Sequence, residues 1–312
     1  MDESSRLRYL AWLESSTPTS VRKWIPDQQL LADLATYLGR TWQERTENVE
    51  WLAGYAKTCP IARARPSDYR LREIKVSSAA LLAGIHFRNR DVNEPFVGVF
   101  AQARELTGAE VSAATRSLIT DFELFQPKGV RWWSPEQHDL RSVPSAHGDY
   151  RLVIGPIADI VRGCAPLPAQ YSFRPEPVAQ FYDDYRDAYA EFRTHASFDN
   201  VPAPESPASL ADCERNGALY CLREAGRFAG LMAARPRLLR GIRGWEIVEE
   251  ILGAEHRGRR LAAVMQKFFV SKFDPALGTL VMGEIADGNL PSLRTAQRAG
   301  RRDVAGWVFI RA

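Results

Sequence analysis

The chain reads as a mixed α/β protein that opens with a helical segment and then runs twice through a similar order of strands and helices. Three observations predict this. Apolar residues in the first 60 positions fall at helical spacing. From about Tyr69 the pattern changes to short apolar runs bounded by turn residues. Late in the chain, two extended apolar runs each pass through a turn into a helix-forming run.

The elements follow in order. Pro26 stands near a helix start, and Leu30, Leu31, Leu34, Tyr37 and Leu38 share one helical stripe. Trp42, Val49, Leu52 and Tyr55 continue it, and Pro60 and Pro66 end the region. Lys75 to Phe87 and Pro95 to Ala103 read as strands, Glu110 to Phe125 as a helix, and Gly129 to Trp133 as a strand. The polar stretch Ser134 to Asp149 reads as a linker and sets two domains, 1–145 and 146–312. Tyr150 to Ile157 reads as the first strand of the second domain, and Val178 to His195 as an aromatic-rich helix. The Pro/Ser-rich stretch Ala196 to Ser209 is either a lid or a surface loop. A short helix, Leu210 to Arg215, precedes strands at Ala218–Arg223, Arg227–Ala234 and Trp245–Leu252.

Composition bounds the class. The 312 residues suffice for two domains, and 45% hydrophobic with 25% charged residues is a globular balance. A net charge of +3 argues against a dedicated nucleic-acid binder. No apolar run approaches the roughly 18–20 residues that span a membrane, and the start M-D-E-S-S-R has no signal-peptide pattern, so a cytoplasmic enzyme is expected. Cys59, Cys164, Cys213 and Cys221 show no C-x-x-C spacing, and the histidines show no metal spacing; no metal is expected.

The densest signal is Ile247 to Ala262. An apolar run meets a turn holding Arg257, Gly258, Arg259 and Arg260, then a helix-forming run. Backbone N–H groups in such a turn and the dipole of the following helix favour an anion by roughly 0.3–1 kcal/mol. A second such transition follows at Asn289 to Arg301, N-L-P-S-L-R-T-A-Q-R-A-G-R, after the extended run T-L-V-M-G-E-I-A. This pair resembles the GNAT superfamily of acyl-CoA-dependent N-acyltransferases. There the fourth strand leads into an (Arg/Gln)-x-x-Gly-x-(Gly/Ala) loop, and the fifth into an Asn-x-x-(Ser/Ala) helix start with a glycine some eleven residues on. Gly300 lies eleven residues after Asn289. The resemblance covers roughly residues 150–312. It implies a mostly antiparallel mixed sheet flanked by helices, with the first half a degenerate second copy. In that copy L-T-G-A-E stands where the later half has its arginine-rich turn.

The resemblance also implies site residues. The backbone around Ile251, Leu252 and Ala254 would bind the pantetheine arm of acetyl-CoA or another acyl-CoA. The N–H groups of His256, Arg257, Gly258, Arg259, Arg260 and Leu261 would hold the pyrophosphate, and Asn289 and Ser292 would touch the coenzyme. A carboxylate on the strand before the turn would take the amine's proton; Glu246, Glu249 and Glu250 are the candidates. Strand alternation puts Glu246 and Glu250 on one face and Glu249 on the other. The sequence departs from the family at three points: Glu255 replaces Gln or Arg, Arg260 replaces a small residue, and Ala296 replaces the usual tyrosine acid. The expected acceptor is a small-molecule amine. An acyl carrier protein or an aminoacyl-tRNA are alternative donors, and a non-catalytic binding or scaffold protein is the alternative to an enzyme. The basic turn Arg235 to Gly244 is either a docking patch for an acidic partner or a solvated hairpin.

Overall fold

The computed structural model describes residues 1–76, 79–196 and 201–312. Ser77 and Ser78, within the expected strand from Lys75, lie outside the described residues, as do residues 197–200 of the Pro/Ser-rich stretch. In chain order the elements are helices α1 (Glu3–Ser15), α2 (Thr19–Arg22), α3 (Asp27–Trp42) and α4 (Val49–Thr58), then strands β1 (Arg72–Val76), β2 (Ala79–Phe87) and β3 (Pro95–Gln102). Helix α5 (Gly108–Asp121) leads to β4 (Gly129–Pro135) and β5 (Ala146–Pro156). Helix α6 (Ile157–Val161), β6 (Tyr171–Pro175), α7 (Tyr182–His195) and α8 (Pro207–Arg215) precede β7 (Leu219–Glu224), β8 (Arg227–Leu239) and β9 (Ile242–Leu252). The chain closes with α9 (Leu261–Val270), β10 (Leu280–Ala286), α10 (Leu290–Ala299) and β11 (Arg302–Arg311). Two compact units form: residues 1–150 with 239–242 and 304–312, and residues 151–238 with 243–303.

In the first unit the strands run β1-β2-β3-β4-β11. The single strand expected from Lys75 to Phe87 is two strands that pair antiparallel, with Val76 opposite Ala79. A run of small and apolar residues from Val76 to Ala83 hides such a reversal, because it holds no glycine or proline to mark a turn. β3 and β4 are parallel, Val97 opposite Val130, with α5 as the crossover. The last strand, β11, pairs antiparallel with β4 and sets Trp307 opposite Trp133. Residues 304–312 thus belong to the first unit, although a cut at 145/146 assigns them to the second. The stretch Ser134–Asp149 is not a loose linker either: Leu140 and Val143 are buried, and Asp149 pairs with both Arg88 and Arg131.

The start of α5 has no vacancy for an anion. Thr107 caps it, and the Glu110 carboxylate turns back onto the Thr107 N–H and pairs with Arg104. Beyond the β3–β4 pairing lies Arg240. Its guanidinium donates to the Phe100 carbonyl at 3.2 Å and stacks over Trp133 at 4.3 Å and Trp12 at 5.1 Å. The basic turn is therefore neither a docking patch nor a solvated hairpin at this residue, which is buried.

In the second unit the order is β5-β10-β9-β8-β7-β6. Alternation along β7 and β8 builds two cores: Leu222 and Met232 face Met265 and Phe269 of α9, whereas Cys221 and Leu231 face Tyr185 of α7 and Leu210 of α8. The sheet thus lies between α9 and the pair α7–α8. The predicted first strand, Tyr150–Ile157, is a strand but stands beside β10; the edge belongs to β6. β6 escapes the sequence reading because it is five residues long with a polar residue at every second position. Among the described residues no helix is long and apolar enough to cross a membrane.

Candidate active site

β9 and β10 run parallel and pair at Trp245–Val281 and Glu246–Met282. Beyond that point a cleft of about 310 Å³ opens along them, lined by Ile247 to Leu252 of β9 and Gly283 to Ala286 of β10. The turn Arg257–Gly258 and the start of α10, with Asn289, Ser292 and Thr295, close one side. Tyr189 and Phe192 of α7 and the segment Pro202–Glu205 close the other. The cleft follows the edge of β9, so neighbouring residues from both faces of the strand reach it. That is why Glu249 and Glu250 meet there although alternation separates them.

Both side chains are partly buried, and the desolvation of their carboxyls pushes each pKa up to about 7. Glu249 accepts the Tyr185 hydroxyl at 2.5 Å and the Glu250 N–H at 2.9 Å. Glu250 accepts the Gln266 side-chain amide through Oε2, and its Oε1 has no hydrogen-bond partner. Glu246 differs. Arg235 holds it at 3.1 Å, Arg237 also binds it, and it does not line the cleft. A carboxylate between two guanidiniums is a poor proton acceptor at neutral pH. Of the three candidates, the structure brings two together and sets the third apart.

The turn into α9 is built for backbone approach at one residue. Gly258 lies at φ +75° with open space where a Cβ would stand. The N–H groups of His256 and Arg257 already donate to the carbonyls of Gly253 and Ala254. Any anion there is left with the amides of Gly258 to Leu261, a shorter set than the sequence implies. The Arg257 Nε donates to the Leu252 carbonyl at 2.9 Å, so that carbonyl is taken, while its Nη2 is buried with no hydrogen-bond partner. Ala254, His256, Arg259, Arg260 and Leu261 do not line the cleft. His256 is buried against Tyr171, Leu261 belongs to the α9 core, and Arg259 and Arg260 are exposed. Asn289 caps α10 by accepting the Ser292 N–H at 3.2 Å.

The fold of the chain is similar to that of solved structures. A GCN5-related N-acetyltransferase from Sphaerobacter thermophilus aligns at 14% identity with a TM-score of 0.50, over 75% of this chain and 78% of that one. One from Kribbella flavida aligns at 14% identity and a TM-score of 0.49, over 85% and 95%. A tandem GNAT protein from the clavulanic acid biosynthesis pathway aligns at 14% and 0.43, over 85% and 95%. The fold is that of the GNAT superfamily. No protein-family model and no curated protein matches the chain.

Against the GNAT pattern, Ala296 at the tyrosine position is fully buried against Val153 and Ile285. Four cleft features carry no signal in that pattern. Tyr185 bridges Glu249 and the Glu205 N–H. The hydroxyls of Tyr182 and Tyr189 donate to the carbonyls of Glu205 and Pro202, so the segment flanking the cleft is tied down by α7 rather than lying as a free surface loop. Arg301 lines the cleft and donates to Gln266. The helical spacing of Tyr182, Tyr185 and Tyr189 was visible in the sequence; their hydroxyl partners were not. The thiols of Cys213 and Cys221 are buried, which pushes them up to about 11 and about 12 and keeps them neutral. Among the described residues no group of three potential metal ligands occurs.

Proposed function

We propose that the chain is an acyl-CoA-dependent N-acyltransferase that transfers an acyl group, acetyl in the simplest case, directly to a small-molecule amine. The observation that carries this reading is the pair Glu249 and Glu250 on the free edge of β9. Two carboxyls poised near neutrality suit a base that must take a proton from an alkylammonium. In the proposed reaction the amine nitrogen attacks the thioester carbonyl, the C–N bond forms and the C–S bond breaks. The amine's proton passes to a Glu249 or Glu250 carboxylate, directly or through water, and the departing thiolate is protonated from water or Ser292. The edge of β9 up to Ile251, the amides of Gly258 to Leu261, Arg257 and Asn289 would hold the coenzyme. The unpartnered Arg257 Nη2 fits a phosphate oxygen.

Calorimetric titration of the full chain with acetyl-CoA tests the donor, and free-thiol release over a panel of primary amines tests transfer. Binding that Gly258→Asp weakens, with turnover that a glutamine at 249 or 250 lowers, supports the reading. Absence of affinity at millimolar acetyl-CoA would refute the CoA donor and favour a carrier-protein or tRNA-borne one. The buried Ala296 supports a second reading, a non-catalytic acyl-CoA-binding protein. Tight CoA binding with no thiol release on any amine would select it.

A further inference from the structure

Arg301 follows the C-terminus of α10 and is 4% exposed, yet it lines the cleft. Its Nη2 donates to Gln266 Oε1 at 2.9 Å, and Gln266 in turn donates to Glu250. The nearest carboxylate oxygen, Glu250 Oε2, is 4.0 Å from Nη2, outside hydrogen-bond range. Nε is buried with no hydrogen-bond partner, and the only hydrogen bond of the guanidinium to a described residue is the one to Gln266. The group is placed at the mouth of the strand fork. A Cβ on Gly283 would stand 2.7 Å from Arg301 Nη1, and Gly283 directly follows the Met282–Glu246 pair. Only a residue without a side chain leaves this guanidinium its place across β10.

A guanidinium taken out of water with a single hydrogen bond is costly unless something supplies the missing acceptors. Burial pulls its pKa down only to about 10, so it keeps its charge at neutral pH. Its flat array of donors fits the two oxygens of a carboxylate. The phosphate end of a coenzyme is provided for elsewhere, at Gly258 and Arg257. We propose that Arg301 binds a carboxylate of the substrate, carried either on the acyl chain of the donor or on the amine acceptor. The inference rests on the reading of the cleft as an acyltransferase site.

Two matched pairs separate the sources. Calorimetry on the full chain compares succinyl-CoA with butyryl-CoA, which have the same chain length and differ in the terminal carboxylate. With butyryl-CoA present, it then compares L-phenylalanine with phenethylamine, chosen for the Tyr189 and Phe192 wall. The expected result is a preference of about tenfold or more for the carboxylate member of at least one pair. Arg301→Gln should reduce it to less than about threefold, and Arg301→Lys should retain part of it. Equal affinity within both pairs for the wild-type protein overturns the proposal whether or not Arg301→Gln folds. A preference that survives Arg301→Gln in a folded protein overturns it as well. If neither CoA thioester binds the wild type, the acyl-CoA reading itself fails and the carboxylate assignment falls with it. Equal binding of the two thioesters together with equal binding of the two amines leaves that reading standing and removes only the inference.

Discussion

Replacing Glu249 by glutamine should stabilise the protein in mild base and leave it nearly unchanged in mild acid. Burial lifts this carboxyl from its ordinary value of 4.5 to about 7. A folded state that holds a proton more tightly than the unfolded chain is favoured in acid. That advantage is fully present below about pH 4.5 and is lost as the pH rises through about 7. The full linked shift is worth about 3 kcal/mol, of which about 2.5 kcal/mol falls between pH 5 and pH 8. A glutamine carries none of this cost. It can accept from the Tyr185 hydroxyl or the Glu250 N–H but not both, which removes about 1 kcal/mol at either pH. The net expectation for Glu249→Gln is a stability close to wild type at pH 5 and about 2 kcal/mol above it at pH 8. Urea unfolding at the two pH values, with equal m-values required, measures the difference. A change between the two pH values below about 0.5 kcal/mol, or of opposite sign, would refute the claim that this carboxyl is strained by burial.

Further outcomes follow from the same contacts. Tyr185→Phe removes a hydrogen bond that holds the Glu249 pKa down, so the acidic limb of a pH–rate profile should move to higher pH by up to about 1 unit; a limb that moves down contradicts the assignment. Ala296→Tyr should not supply a missing acid. The site is fully buried, and the added ring should cost about 1–3 kcal/mol in denaturant, with no gain in thiol release. Arg240→Met should lower stability by about 1–3 kcal/mol through the Phe100 hydrogen bond and the two tryptophan contacts; the same unfolding assay reads it, and an unchanged midpoint would mean the guanidinium contributes nothing there.

The sequence conveyed the helical opening, the strands flanking the arginine turn and the start of α10, because each carries a local signature: periodicity, a positive-φ glycine, an Asn cap. The cleft's carboxylates were also within reach, since three glutamates crowd one strand. What separates Glu246 from the other two is Arg235 and Arg237 on the neighbouring strand, a non-local fact. The turn offers fewer unpaired amides than the sequence implies, because the 3₁₀ turn at Ala254–His256 uses two of them. Gln266 and Arg301 were illegible for the same reason. One sits in a run that reads as an ordinary helix and the other in a run of arginines, and only the fold sets them on Glu250. β1 and β2 merged into one predicted strand because Val76 and Ala79 flank the reversal with no glycine or proline in the sequence between them.

The strand β11 has a consequence for how the polypeptide is made. Its partner β4 leaves the ribosome some 170 residues earlier, at a pace of about 5–20 residues per second. For that interval β4 carries an open edge in the place β11 will take, and an open edge is a template for pairing with other chains. The nascent first unit therefore waits on β11, and a chain released before Val304 would present the same bare edge permanently. Fragments cut at residue 145 inherit the fault from both sides: one lacks the strand that pairs with β4, and the other carries that strand without β4. Soluble expression should thus depend on β11 far more than its small share of the hydrophobic core suggests.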